Sequence, residues 1–254
     1  MRIRDLFLAA AILCSIQQAF ATELITNGNF ELFTSGNPTG WTYTQGDGPG
    51  TLQNAANSPF TNIYAAGSND LLFTDSAASG FSPILLQTFA TQSGTTIFAS
   101  WDFNLASLNG NMWVVQIDDS ASAAIRFDMD FTGGTFAFEQ NATFTTVTSL
   151  TANTWYNVQV ALNITNSTLS GTITPFGSSA VPFSGNFRIT GVPTLNRFVF
   201  IDISQGTGAG QNGNIQLDNV SVNTVLVPEP STIALSILGI GSVLIAKRFR
   251  RRAI

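Results

Sequence analysis

From residue 22 to about residue 226 the chain alternates apolar and polar residues in short runs, broken by Gly, Asn, Pro and Ser. In the run TTIFASWDFNL, Ile97, Ala99, Trp101, Phe103 and Leu105 form one apolar set, while Phe98, Ser100, Asp102 and Asn104 form a mostly polar one. Successive side chains of a strand point to opposite faces, so this alternation predicts a half-buried strand. WYNVQVALNIT repeats it, with Tyr156, Val158, Val160, Leu162 and Ile164 set against Asn157, Gln159 and Asn163. Similar runs predict strands over 84–89, 112–118, 124–131, 144–150, 169–174, 198–204 and 215–222. No stretch of helical period exceeds about two turns. Many short strands between frequent turns, with no repeat and no dividing linker, predict one all-β domain over 22–226, a two-sheet antiparallel jelly-roll sandwich.

One local break in the alternation points to a special site. Ile215 and Leu217 share one parity, and Val220 and Val222 share the other. The switch at Asp218–Asn219 predicts a β-bulge, which re-aims a side chain. The alternative is a strand that crosses from the core to the sheet edge.

The two ends depart from this pattern. Residues 1–21 combine Arg2 and Arg4, an apolar stretch over 6–16 and the small-x-small triplet Ala19-Phe20-Ala21. That is the layout of a signal helix for the general export machinery, cut after Ala21. At the other end, residues 231–246 carry no charge, and five of the ten Lys and Arg fall within residues 247–252. Sixteen helical residues span about 24 Å, slightly short of a bilayer core, and flanking cations snorkel to absorb the deficit. Pro228 and Pro230 stop the helix from extending backward. Lys247, Arg248, Arg250, Arg251 and Arg252 hold the C-terminus in the cytoplasm by the positive-inside rule. The expectation is a single transmembrane helix in the inner membrane, with the body outside the cytoplasm.

The order of Pro228-Glu229-Pro230, one apolar helix and a terminal basic cluster resembles the PEP-CTERM sorting signal. The resemblance covers residues 227–254. It implies exosortase as the processing partner, release to the cell surface or medium, and a setting in exopolysaccharide or biofilm matrix.

Two further resemblances touch the body. LITNGNFE near the start and IQLDNVSV at the end are similar to the terminal strands of jelly-roll carbohydrate-binding modules of the galactose-binding-like kind. That resemblance implies pairing of the two terminal strands and a structural calcium ion held by Glu31 and Asp218. The interior run TANTWYNVQVALN is more similar to concanavalin A-like lectin and laminin G domains, and the length of the body favours that variant.

Composition narrows the chemistry. Residues 22–227 hold thirteen Asp and Glu against Arg126, Arg188 and Arg197, without Lys or His, for a net charge of −10. Nucleic-acid binding requires a basic stripe and is not expected. The single cysteine, Cys14, lies in the signal segment, so the body has no disulfide and no thiolate ligand. The absence of histidine removes Ser-His-Asp catalysis and His-ligated zinc. A carboxylate pair remains, and FDMDF places Asp128 and Asp130 two residues apart on one strand. The corresponding strand of jelly-roll glucanases carries Glu, which is missing here, and the sequence shows no partner to raise a pKa. Of the four tryptophans, Trp101 is expected in the core, Trp113 and Trp155 at packed strand starts, and Trp41 against the first strand. The leading expectation is a non-enzymatic exported protein with a structural or carbohydrate-binding role and polysaccharide as a partner. The alternative is a glycoside hydrolase working through a carboxylate pair.

Overall fold

Strand β7 (Thr96–Leu105) shows why this sequence makes a sandwich: Ile97, Ala99, Trp101, Phe103 and Leu105 are buried, and Ser100 and Asn104 on the opposite face are half-buried. The structure, a computed structural model, describes residues 22–44, 51–55, 57–60, 69–75, 83–108, 112–119, 123–131, 133–203 and 213–224. The expected signal segment (1–21) and sorting tail (227–254, with Pro228–Pro230 and the basic cluster) lie outside the described residues. Among those described, no helix is long and apolar enough to cross a membrane.

β7 sits in the middle of a seven-stranded first sheet. Its order is β14 (Val181–Asn186), β13 (Thr168–Pro175), β12 (Trp155–Asn163), β7, β16 (Gly213–Asn223), β5 (Asp70–Asp75) and β4 (Thr51–Ala55). The second sheet, also seven-stranded, runs β11 (Thr143–Ser149), β10 (Thr135–Gln140), β9 (Ile125–Phe131), β8 (Met112–Asp118), β15 (Thr194–Ile203), β6 (Ile84–Ser93) and β3 (Thr42–Thr44). A small ribbon pairs β1 (Phe33–Thr34) with β2 (Asn37–Pro38). Every pairing is antiparallel, and the chain passes repeatedly from one sheet to the other, as between β5 and β6, β7 and β8, and β15 and β16.

The inner faces meet through aromatic rings. Trp101 of the first sheet packs on Phe127 and Phe198 of the second, at 5.2 and 6.2 Å between centroids. Phe73 stands edge-on to Trp113 at 5.3 Å, and Trp113 stacks on Phe200 at 5.5 Å. Such contacts add roughly 0.5–1.5 kcal/mol each beyond area burial. This core stands in for the disulfides that the body lacks. Trp101 and Trp113 are therefore core residues as expected, and Trp41 packs on Phe30 at 5.3 Å, also as expected. Trp155 differs: it lies half-buried on the outer face, one position before the inward-facing Tyr156.

The N-terminal segment corrects one expectation. Residues 24–31 do not form a strand; only Glu23 bridges Asn223, with Leu24 N donating to Val222 O at 2.8 Å. Positive φ angles at Asn27 (53°) and Phe30 (49°) bend the segment off the sheet. Gln87 then takes over the role of a neighbouring strand: its Oε1 accepts Thr26 N at 2.6 Å, and its Nε2 donates to Thr26 O and Gly40 O, both at 2.9 Å. The two ends of the body meet as expected, but through one bridge and a few hydrogen bonds instead of a paired strand.

Candidate functional sites

The parity switch in β16 is a β-bulge. Asp102 faces Asp218 and Ser100 faces Ser221, so three steps on β16 oppose two on β7. Asn219 takes the left-handed conformation at φ 55°, which Asn tolerates better than most residues. The bulge turns the Asn219 amide back over β7, where its Nδ2 donates to Asp102 Oδ2 at 2.6 Å. Asp102 also accepts Ser58 Oγ at 2.6 Å and Asn157 Nδ2 at 2.6 Å. Asp218 accepts Ser58 N at 3.0 Å and Asn219 N at 2.7 Å. One short turn, 57–60, thus clamps both carboxylates onto the outer face of the first sheet.

None of the three arginines of the body takes part in this network, and burial dominates its electrostatics. Burial pushes Asp102 up to about 6, against the lowering effect of its bonds from Ser58, Asn157 and Asn219. Burial pushes Asp218 up to about 7, and the charges of Asp102 and Asp70 add to the rise. The network continues outward as a chain of amides: Asn157 Oδ1 accepts Gln159 Nε2 at 3.0 Å, and Asn104 Nδ2 donates to Gln216 Oε1 at 3.1 Å.

Glu31 and Asp218, the expected calcium ligands, each accept hydrogen bonds from the protein. Glu31 accepts Asn69 N at 2.8 Å and Asn69 Nδ2 at 3.1 Å, one donor on each oxygen, as at Asp218. Among the described residues no group of three or more His, Cys, Asp or Glu is arranged to hold a metal ion.

A second cluster lies on the outer face of the second sheet, and it gathers the cations of the body. Arg126 Nε is 2.9 Å from Asp128 Oδ1 and 3.9 Å from Glu139 Oε2, which puts those two oxygens no more than about 7 Å apart. Arg188 Nε is 2.8 Å from Glu139 Oε2, and its Nη1 donates to Ala123 O at 3.2 Å. Arg197 grips Asp118 with two bonds, at 2.7 and 2.8 Å. Asp118 is the buried end of β8, inside the strand predicted over 112–118. Asp128 is fully buried, and burial pushes it up to about 6, with Arg126 lowering it and Glu139 raising it. Asp130 does not share this setting. It sits at φ 65° in an irregularity of β9, where Phe131 faces Thr135 and Asp128 faces Ala137.

Sequence reasoning missed Glu139 because it belongs to β10, a strand that the alternation did not predict. In the β9–β10 register Phe127 faces Phe138, which brings Glu139 beside Arg126. Ser58 was missed as well, since nothing in a loop sequence announces a contact 160 residues away.

No family model matches the sequence, and no curated protein matches it. Solved structures do share the fold. A sialidase superposes with a TM-score of 0.52 at 13% identity, over 69% of this chain and 17% of the sialidase chain. Peanut lectin gives 0.51 at 11% identity, over 83% of this chain and 100% of the lectin. The marine PL-14 alginate lyase from Aplysia kurodai gives 0.50 at 9% identity, over 73% and 90%. The expectation of a non-enzymatic protein is corrected by these findings. Enzymes stand beside lectins among the structures that share the fold, and Glu139 of β10 shares Arg126 with Asp128. At such identities the likeness establishes architecture: the body is a two-sheet antiparallel jelly-roll sandwich.

Proposed function

We propose that this chain is an exported bacterial protein, sorted and processed by exosortase, whose sandwich engages a polysaccharide at the cell surface or in the extracellular matrix. The sorting half rests on Pro228-Glu229-Pro230, the apolar segment after it and the terminal basic cluster. The observation that carries the molecular half is the division of charge between the two outer faces. Arg126, Arg188 and Arg197 are all bound to carboxylates of the second sheet. The outer face of the first sheet presents Asn157, Gln159, Asn104 and Gln216, uncharged donors and acceptors suited to sugar hydroxyls. The lectin among the fold neighbours fits this reading.

One experiment tests both halves. Protein recovered from cells and from medium is expected to lack the residues beyond about Pro230 by intact mass. The recovered protein is also expected to sediment with insoluble polysaccharide. A full-length C-terminus in both fractions defeats the sorting half, and failure to sediment with any polysaccharide defeats the other.

The Asp128–Glu139 pair supports a second reading, glycoside cleavage. Asp128, raised to about 6, holds a proton for a leaving group in mildly acidic medium, and Glu139 acts as the carboxylate partner. Asp128→Asn and Glu139→Gln are each expected to lower reducing-end release at least 100-fold while leaving polysaccharide retention unchanged. Equal release by wild type and both variants removes this reading.

A further inference from the structure

Phe176 is 56% exposed, one of three exposed large apolar side chains among the described residues, with Leu32 and Ile189. It follows the last residue of β13 and lies opposite Trp155, whose carbonyl accepts Phe176 N at 2.9 Å. Phe60, two residues beyond the Ser58 clamp, meets Phe176 edge to face at 5.5 Å and 89°, which fixes the orientation of the phenyl ring. Trp155 is two residues from Asn157 and four from Gln159, so all three share the outer face of β12. An exposed ring held edge-on by Phe60 beside oriented amides is an arrangement suited to sugar recognition. The C–H face of a pyranose packs on the ring while its equatorial hydroxyls reach the amides.

We propose that this corner of the first sheet is a subsite for a neutral polysaccharide, stacked on Phe176 and Trp155 and hydrogen-bonded to Asn157 and Gln159. The inference rests on the polysaccharide reading above and adds a location and a charge class. Asp102 fixes the Asn157 amide by accepting its Nδ2, which leaves Oδ1 as the acceptor side. The nearest charged groups in the network are the carboxylates of Asp102 and Asp218, and every arginine of the body is bound to carboxylates of the other sheet. A uronate or sialate would meet negative charge here with no cation to offset it, so the subsite selects uncharged sugars.

The test is calorimetric titration of the full chain in detergent with cellohexaose and laminarihexaose as neutral probes and an alginate hexamer as the charged one. Binding of a neutral probe is expected, weakened at least tenfold by Phe176→Ala and severalfold by Gln159→Ala, with no alginate binding. Phe176 is exposed, so its alanine variant should melt like the wild type, and that melt guards the comparison. Neutral binding undiminished in Phe176→Ala, or preference for alginate, overturns the subsite while leaving polysaccharide engagement standing. Absence of binding to all three probes overturns both.

Discussion

Thermal unfolding between pH 4.5 and pH 8 is expected to show a protein that loses stability as the solution becomes less acidic. Three carboxyl groups drive this: Asp218, raised to about 7, and Asp102 and Asp128, each raised to about 6. Burial is the first cause in every case. A carboxyl group whose folded pKa lies above its unfolded value binds a proton on folding. The stability that it contributes is complete below pH 4 and is lost as pH rises through 6 and then 7. A shift of about three units for Asp218 is worth on the order of 4 kcal/mol at most, since the adjacent Asp102 titrates with it. For a body of this size that translates to a fall in Tm of roughly 10 °C. Asp218→Asn should flatten the steepest part of the profile, between pH 6 and 7.5. Its amide oxygen can still accept Ser58 N or Asn219 N, so a modest loss of stability at pH 5 should accompany the flattening. A Tm that stays level or climbs from pH 5 to 7.5 would remove the assignment of these groups as buried and proton-binding.

That network also marks how far the sequence could be read. The half-buried strands announced themselves where alternation was long, and β7 and β12 hold the faces that their sequences assign. The bulge was visible because Val220 and Val222 change parity, a local signal for a local distortion. β10 was not visible: TFAFEQ is six residues long and carries a central apolar run instead of a clean alternation. β14 begins Val181-Pro182, and proline is tolerated there because the strand lies at the edge of its sheet. Both misses cost site residues or edges, because strand order and register are tertiary facts. Asp102 is legible as a polar position on a strand, but its three donors come from residues 44, 55 and 117 positions away. The exposure of Phe176 is likewise invisible in sequence, since an isolated aromatic after a strand is more often buried.

Replacing Arg126 by Met should destabilise the protein by about 3–5 kcal/mol, the usual consequence of stranding buried acids by removing their cation. Arg126 is the shared partner of Asp128, which is fully buried, and Glu139, which is 6% exposed. Asp128 Oδ2 has no hydrogen-bond partner among the described residues, so the guanidinium on Oδ1 is its chief compensation. The guanidinium also lies 5.1 Å from the centre of the Phe144 ring, a contact that a methionine sulfur keeps in weaker form. Removing Arg126 takes away the interaction that lowers the Asp128 pKa most, so Asp128 should bind its proton still more tightly, and the variant's losses should grow as pH rises from 5 to 8. The double variant Arg126→Met/Asp128→Leu should recover much of the deficit, because it deletes the stranded charge along with its partner. Equal stability of the single and double variants would show that Asp128 is not carried as a buried charge. Asp128 would then hold its proton beside Arg126, the state in which a carboxyl group can act as a general acid.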